Sequence, residues 1–465
     1  MTARQPEASL WRMQLPLSLA SIFAPLNSTM LAVALPDIRH AFSVGVGAAT
    51  VLVSSYHVAV AVCQPIGGRI GDAIGHRRTI QLGLVILLAF SVLSAFAWTF
   101  PMLIVTRGLQ GISAALIAPN AAGYMRKNVP PGRLGSAIGL NGAMIGAGAA
   151  LGPVLGGLLL SLGSWRLLFL INIPLSIVAF ASVLALKPDH GAGRAKLQLD
   201  AISVLALLAW FTGVTLIGSA LRLGIPPLTL AAIAIAVAGV AVYAYRYFST
   251  GQGVVDLRLF TNRNYAATAM GTTLTNFVMY STLIAMPLYL GDLEDLGDAA
   301  VGLSLFAMSF WMVVLSPFSG GLADRIGSRP MMSAGALCLV AASAGLTLGL
   351  GNVPVVAVLG LLLLIGIGMG LIGAPQQAIA LKAFPPAVAG SAAGTFSMMR
   401  YVGSVAGAAV IAGSLGKHPG ASEFHLLFGV ITAMALVNMA TAFAVRPEGK
   451  PSLHLQPGEP EPATS

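Results

Sequence analysis

From His40 to Gly68 the chain carries no lysine, arginine, aspartate or glutamate. A helix rising about 1.5 Å per residue needs about 20 such residues to cross a hydrocarbon layer roughly 30 Å thick. Runs of this length recur near 13–36, 47–68, 79–100, 102–125, 133–161 and 167–187, then at 201–221 and 226–248. Six more follow near 265–290, 300–322, 331–349, 354–380, 388–414 and 425–445. With 57% hydrophobic and 9% charged residues, and a mean hydropathy of +0.86, the chain has too little polar surface to coat a soluble globule of 465 residues. A strand barrel would instead show short alternating segments. The expected fold is an all-α membrane protein whose fourteen spans are grouped as six, two and six.

A charged stretch interrupts this apolar sequence twice. Gly67 to Arg78, GGRIGDAIGHRR, returns as Gly320 to Arg329, GGLADRIGSR. Each copy predicts a tight, charged hairpin between two spanning helices, and the echo predicts two related halves. The expected domains are a first six-helix bundle over 1–187, a link with two extra spans over 188–255, a second bundle over 256–447 and a disordered tail over 448–465. The first apolar run is longer than the core of a signal peptide and reads as an uncleaved helix.

Lysine and arginine collect in short cytoplasmic loops. Alternating the connections puts 19 of the 25 basic residues on the side of the amino end and only Arg39, Arg166, Arg222 and Lys417 on the other. Both termini are therefore expected in the cytoplasm, in the inner membrane of a bacterium. The +10 net charge then reflects topology, and nothing suggests the basic face that nucleic acid requires.

Ionisable groups are costly at mid-membrane, so those found there are functional candidates. Arg107, Arg400 and His57 lie within spans, whereas every aspartate and glutamate falls at a span end, in a link or in a tail. Cys63 and Cys338 sit in apolar runs and read as small buried hydrophobes. No metal-ligand cluster, nucleotide loop or nucleophile-and-base pattern is seen, so neither a metal, a cofactor nor an enzyme is expected. A channel would need a selectivity-filter repeat, which is likewise not seen.

The two charged stretches, with Gly68, Gly71 and Gly75 around Asp72 and basic residues after them, resemble the loop signature of the major facilitator superfamily. That resemblance implies two six-helix bundles around a central route whose access alternates by rocking. It implies a conformational gating role for Gly68, Arg69, Asp72, Gly75 and Arg77, and for Asp324, Arg325 and Arg329 of the second copy. The run Gly146 to Gly157, GAGAALGPVLGG, is similar to the antiporter signature of the fifth span in drug exporters. Within it Gly148, Gly152 and Gly156 recur every fourth residue and form a groove for a neighbouring helix, Gly157 follows, and Pro153 permits a bend. Trp165 to Pro174 and Asp256 to Asn264 look like hallmarks of the fourteen-helix drug/proton antiporter branch, and Arg107 with Gln110 and Gly111 resembles the fourth-span signature tied to proton transfer in relatives. The likeness extends from about Leu17 to Val445.

One position departs from that branch. Where its first span usually carries an aspartate, this chain has Asn27, which can hydrogen-bond but cannot exchange a proton near neutral pH. His57, beside Tyr56, is the candidate to titrate instead. With Arg107 and Arg400 inside and no acid at mid-depth, the route should be neutral to positive, favouring neutral or acidic amphiphiles over cations. Its expected lining is Asn27, Tyr56, His57, Gln64, Arg107, Gln110, Asn276, Tyr280, Gln376, Gln377, Met399 and Arg400. The expected function is a secondary transporter of small organic molecules, a monomer in the lipid bilayer, exporting by proton antiport. Uptake of a metabolite, uncoupled transport and a non-transporting sensor of the same form stay open.

Overall fold

The computed structural model describes residues 7–188, 200–251, 253–384, 386–417 and 419–446. The expected disordered tail and most of the link 188–199 lie outside the described residues, as does the side chain of Asp324. Among the described residues there is no strand, and fourteen helical segments are long and apolar enough to cross a membrane.

The first half contains α1 (Glu7–Ser21), α2 (Phe23–Val33), α3 (Leu35–Phe42), α4 (Val46–Ile74), α5 (His76–Ala95), α6 (Phe100–Asn128), α7 (Pro131–Ser161), α8 (Leu167–Leu170) and α9 (Asn172–Leu184). An inserted pair follows, α10 (Ala201–Leu223) and α11 (Pro226–Thr250). A 3₁₀ turn at Leu257–Thr261 leads into the second half, with α12 (Arg263–Asp292), α13 (Asp298–Ile326), α14 (Ser328–Gly349), α15 (Val355–Lys382), α16 (Pro386–Ser414) and α17 (Ala421–Ala444).

Prolines explain where the expected single runs break. Pro25 has no N–H for the carbonyl of Ser21, and the helix turns at Ile22 between α1 and α2. Pro174 likewise leaves the Leu170 carbonyl unpaired, and α8 gives way to α9 at Ile171. Pro36 accompanies the turn at Ala34, after which α3 carries Asp37, Arg39 and His40 on a helix rather than a loop.

The charged repeats also depart from the expected hairpins. Asp72 is on α4 itself, and the whole connection to α5 is Gly75, at φ 99°. Gly327, at φ 96°, joins α13 to α14 in the same way. A left-handed backbone suits glycine and little else, which accounts for a glycine at each corresponding place. The internal repeat is thus a repeated corner between helices.

The halves touch through α4 against α16 and α7 against α13, with α12 also reaching α2 and α3. Burial shows that they meet unevenly. Toward the end bearing Arg39, Met30, Val53, Phe277, Leu283 and Ile284 belong to one apolar cluster drawn from both halves. Toward the Asp72 end, Leu17, Ile80, Ile117 and Tyr124 cluster within the first half, while Tyr265, Ala380 and Phe396 cluster within the second. The molecule is closed toward the Arg39 end, where that cluster is continuous across both halves, and toward the Asp72 end each half keeps a cluster of its own.

Candidate functional site

Where the two halves converge at mid-depth, their side chains form a buried polar cluster. Ser28 of α2 and His57 of α4 place Oγ and Nε2 2.6 Å apart. The Ser28 hydroxyl donates to the Tyr280 hydroxyl of α12 at 3.1 Å, which crosses from one half to the other. Which of Ser28 and His57 donates in their contact depends on the ring tautomer. His57 Nδ1 is buried and without a protein partner. The His57 ring lies edge-on to Tyr280 at 4.5 Å between centroids, and 5.6 and 5.8 Å from Tyr56 and Tyr401.

Arg107 of α6 completes the cluster. Its guanidinium lies 4.5 Å from the centre of the Tyr56 ring and donates to Gln110 Oε1 at 2.8 Å. Gln110 donates in turn to Ser91 of α5 at 2.9 Å. Its partners among the described residues, Gln110 and the Tyr56 ring, are neutral, and its Nε is buried without a partner. A fully buried cation compensated only by amides, hydroxyls and a ring face holds a strong uncancelled field.

The other expected lining residues are more dispersed. Asn27 is buried, donating to the Phe23 carbonyl at 3.0 Å and accepting from Asn172 of α9 at 2.6 Å, so it braces the first bundle. Together with Tyr56 and Ser113 it also lines a cavity of about 10 Å³, near the least that holds one water. Gln64 is half-buried with Oε1 unpartnered, and Asn276 donates to its own helix at Thr272. Arg400 is half-buried and donates to Ser397 Oγ at 3.0 Å, and the Met399 carbonyl accepts from Thr273 at 3.1 Å. Gln376 is buried in the second bundle beside Gly271, Asn438 and Thr441, while Gln377 is exposed. Ser28, Ser91 and Tyr401 were not anticipated, because isolated hydroxyls in apolar runs carry no spacing signal.

Of the expected gating residues, Asp72 stays within its own half, 3.6 Å from His76 Nε2 and 4.0 Å from Lys127 Nζ. His76 bonds Asn120 Oδ1 through Nδ1 at 2.7 Å, and Asn120 donates to the Gly67 carbonyl. Gly68 is half-buried beside Pro119. Arg77 donates to the Leu184 carbonyl at 2.8 Å, and Arg69 to that of Gly253 at 3.2 Å. In the second copy Arg325 is exposed and Arg329 lies 5.6 Å from the Phe443 ring.

At the opposite end an ion pair does cross between the halves, and the sequence did not single it out. Arg39, 5% exposed, pairs with Asp292 at the end of α12 and donates to the Lys417 carbonyl at 2.9 Å. His40 Nε2 is 3.7 Å from the same carboxylate. Burial, and next the neighbouring Asp298, raise the Asp37 carboxyl above its ordinary value. The available signal was that Arg39 is among the four basic residues on its side, facing a loop that carries several acids.

The glycine-rich run of α7 packs as its spacing implies. A Cβ at Gly148 would strike Ile22, at Gly152 Thr29 and Met30, and at Gly156 Met30, all of the first span, while Gly157 faces Asp298 and Gly302 of α13. Pro153 presents its carbonyl to Gly302.

Two helical halves that meet at a buried polar cluster, among fourteen segments long and apolar enough to cross a membrane, form the frame of a multi-pass membrane protein. Residues 17–408 match the Major Facilitator Superfamily, and the chain belongs to that family of transporters. It is similar to the uncharacterized MFS-type transporter YwoD of Bacillus subtilis, at 32% identity over 90% of this chain and 94% of that one. It is also similar to the tetracenomycin C resistance and export protein of Streptomyces glaucescens, at 28% identity over 86% and 75% respectively. The fold matches the partially occluded, inward-open xylose transporter XylE of E. coli, with a TM-score of 0.67 over 96% of this chain and all of that one, at 14% identity.

Proposed function

We propose that the protein exports small neutral or acidic amphiphiles by alternating access, in exchange for protons. The observation that carries this reading is Arg107, buried at mid-depth with neutral partners, one ring away from the His57 contact between the halves. An incoming acid gains from that field, and a lipophilic cation is repelled by it. His57 is the proposed proton carrier, since Asn27 cannot titrate and its bond to Asn172 gives it a bracing role. The similarity to a tetracenomycin C resistance and export protein and the glycine-rich α7 favour export over uptake.

In this reading the Asp72 end faces the cytoplasm, as the distribution of basic residues implies, the membrane is a bacterial inner membrane and the carrier works as a monomer. Asp72 and its second-half counterpart Asp324 hold the cytoplasmic end when it closes. The test is dye flux in sealed vesicles under an imposed pH gradient, using fluorescein as the acid, Nile red as the neutral probe and ethidium as the cation. Fluorescein or Nile red should outpace ethidium by about tenfold, which corresponds to ~1.4 kcal/mol of discrimination. His57→Ala should uncouple the flux from the gradient. Ethidium flux equal to that of the other two would sink the substrate reading, and unchanged coupling in His57→Ala would sink the proton assignment.

A further inference from the structure

The inserted pair α10 and α11 lies along the seam where α4 meets α16. Leu207 and Phe211 of α10 share one apolar cluster with Val58, Ala61 and Val62 of α4 and with Met398 and Val405 of α16, and Tyr243 of α11 joins it. Farther along, Gly47 of α4 has the Ser219 hydroxyl of α10 and the Ala412 methyl of α16 within reach, 3.5 and 3.7 Å from where its own Cβ would stand. The pair thus meets the seam at two levels, beside Val58 to Val62 and beside Gly47. Neither α10 nor α11 packs on the other seam, α7 against α13.

The pair is not attached equally to the two halves. Gly218 brings the α10 backbone so close to the Ala409 carbonyl of α16 that no Cβ would fit. One turn on, Arg222 bonds Glu423 of α17 at 2.5 Å, and Glu423 also accepts from the Gly416 N–H. At the other end the Tyr243 hydroxyl donates to the Val255 carbonyl at 2.7 Å and Tyr247 bonds Asp256, tying α11 to the segment that runs straight into α12. Toward the first half the contacts described include sideways apolar packing and the exposed bond from Arg69 to the Gly253 carbonyl. Apolar side chains slide at little cost, whereas backbone interlocking and a directed ion pair do not.

We propose that α10 and α11 form a moving seal: carried as one body with the second half, they slide over α4 and keep the α4/α16 seam shut to lipid while the halves rock. A bilayer-dissolved amphiphile then meets the route at the α7/α13 seam. This rests on the exporter reading above, because a seal matters only where the halves alternate and the cargo partitions into lipid.

Cross-linking separates the possibilities, in a background of Cys63→Ser and Cys338→Ser. Gly47→Cys with Ala412→Cys places two Cβ atoms at a separation that a disulfide accepts, and joins the halves directly. Gly47→Cys with Ser219→Cys joins α10 to the first half. Arg222→Cys with Glu423→Cys, linked by a short bis-methanethiosulfonate, joins α10 to the second. Flux of whichever of the three dyes the parent carries fastest is compared before and after reduction of the same protein. The first two links should cut flux by about tenfold or more and the third should leave it within about twofold, because only the first two span surfaces that must part. The proposal is overturned if the α10–α4 link leaves flux intact, or if the α10–α17 link stops it. A parent that carries no dye, or free flux with the halves themselves linked, overturns instead the exporter reading on which the seal depends.

Discussion

At the residue scale, the chemistry turns on groups held away from water with incomplete partners. Tyr280→Phe removes the acceptor for the Ser28 hydroxyl and the bond between the halves at that point. The closed end should weaken by about 1 kcal/mol, the usual net value of one such bond. This would be seen as faster labelling of a Gly47→Cys reporter by an impermeant maleimide, and an unchanged rate would remove Tyr280 from the closure. Asp37 gives a pH dependence of opposite sense. Its carboxyl is raised in the closed form, so closure takes up a proton and is favoured as pH falls from the raised value toward the ordinary carboxylate value. Above that window the charged Asp37 works against closure. Asp37→Asn should therefore label more slowly than the parent near neutral pH and lose part of the slowing that acid produces in the parent. Identical pH profiles for the two proteins would contradict this.

At the element scale, α7 is defined by which of its glycines meet another helix. Gly152 stands against Thr29 and the backbone of Met30, whereas Gly142 has open space around it. Gly152→Val should cost at least the ~1–3 kcal/mol typical of overpacking, read as a lower Tm in detergent with loss of flux. Gly142→Ala should be neutral or stabilising by about 0.5–1 kcal/mol, since alanine is the better helix former. Equal effects at the two positions would mean that the groove is not what the glycines provide. The prolines act at the same scale: Pro25 and Pro174 divide the first and sixth spans near the level at which Asn27 and Asn172 meet.

For the whole molecule, the balance between closed and open ends rests on a small number of contacts between the halves. Arg39 and Asp292 form the ion pair that joins them at the closed end. Arg39→Ala leaves the partly buried Asp292 carboxylate with only the exposed His40 ring, 3.7 Å away, and should shift the balance toward opening by about 2–3 kcal/mol. Labelling of Gly47→Cys should rise by about tenfold or more. Exchanging the charges, Arg39→Asp with Asp292→Arg, should restore much of the parent rate, which simple damage to packing would not allow. No recovery in the exchanged pair would show that the residues act separately.

The architecture was legible early because hydrocarbon leaves a backbone little choice. Runs of sufficient length must be helices, and the recurrence of Gly67 to Arg78 as Gly320 to Arg329 marked the two halves. Arg107 and His57 could also be found without coordinates, since an ionisable group within an apolar run stands out by its cost. Which residues face one another could not. Ser28 meets Tyr280 across 252 positions, Arg39 meets Asp292 across 253, and Asn27 meets Asn172 across 145. Solvent transfer acts on each segment alone and so is written in local composition. Contacts between segments depend on how helices tilt, break and approach, and those were decided only when the helices packed together.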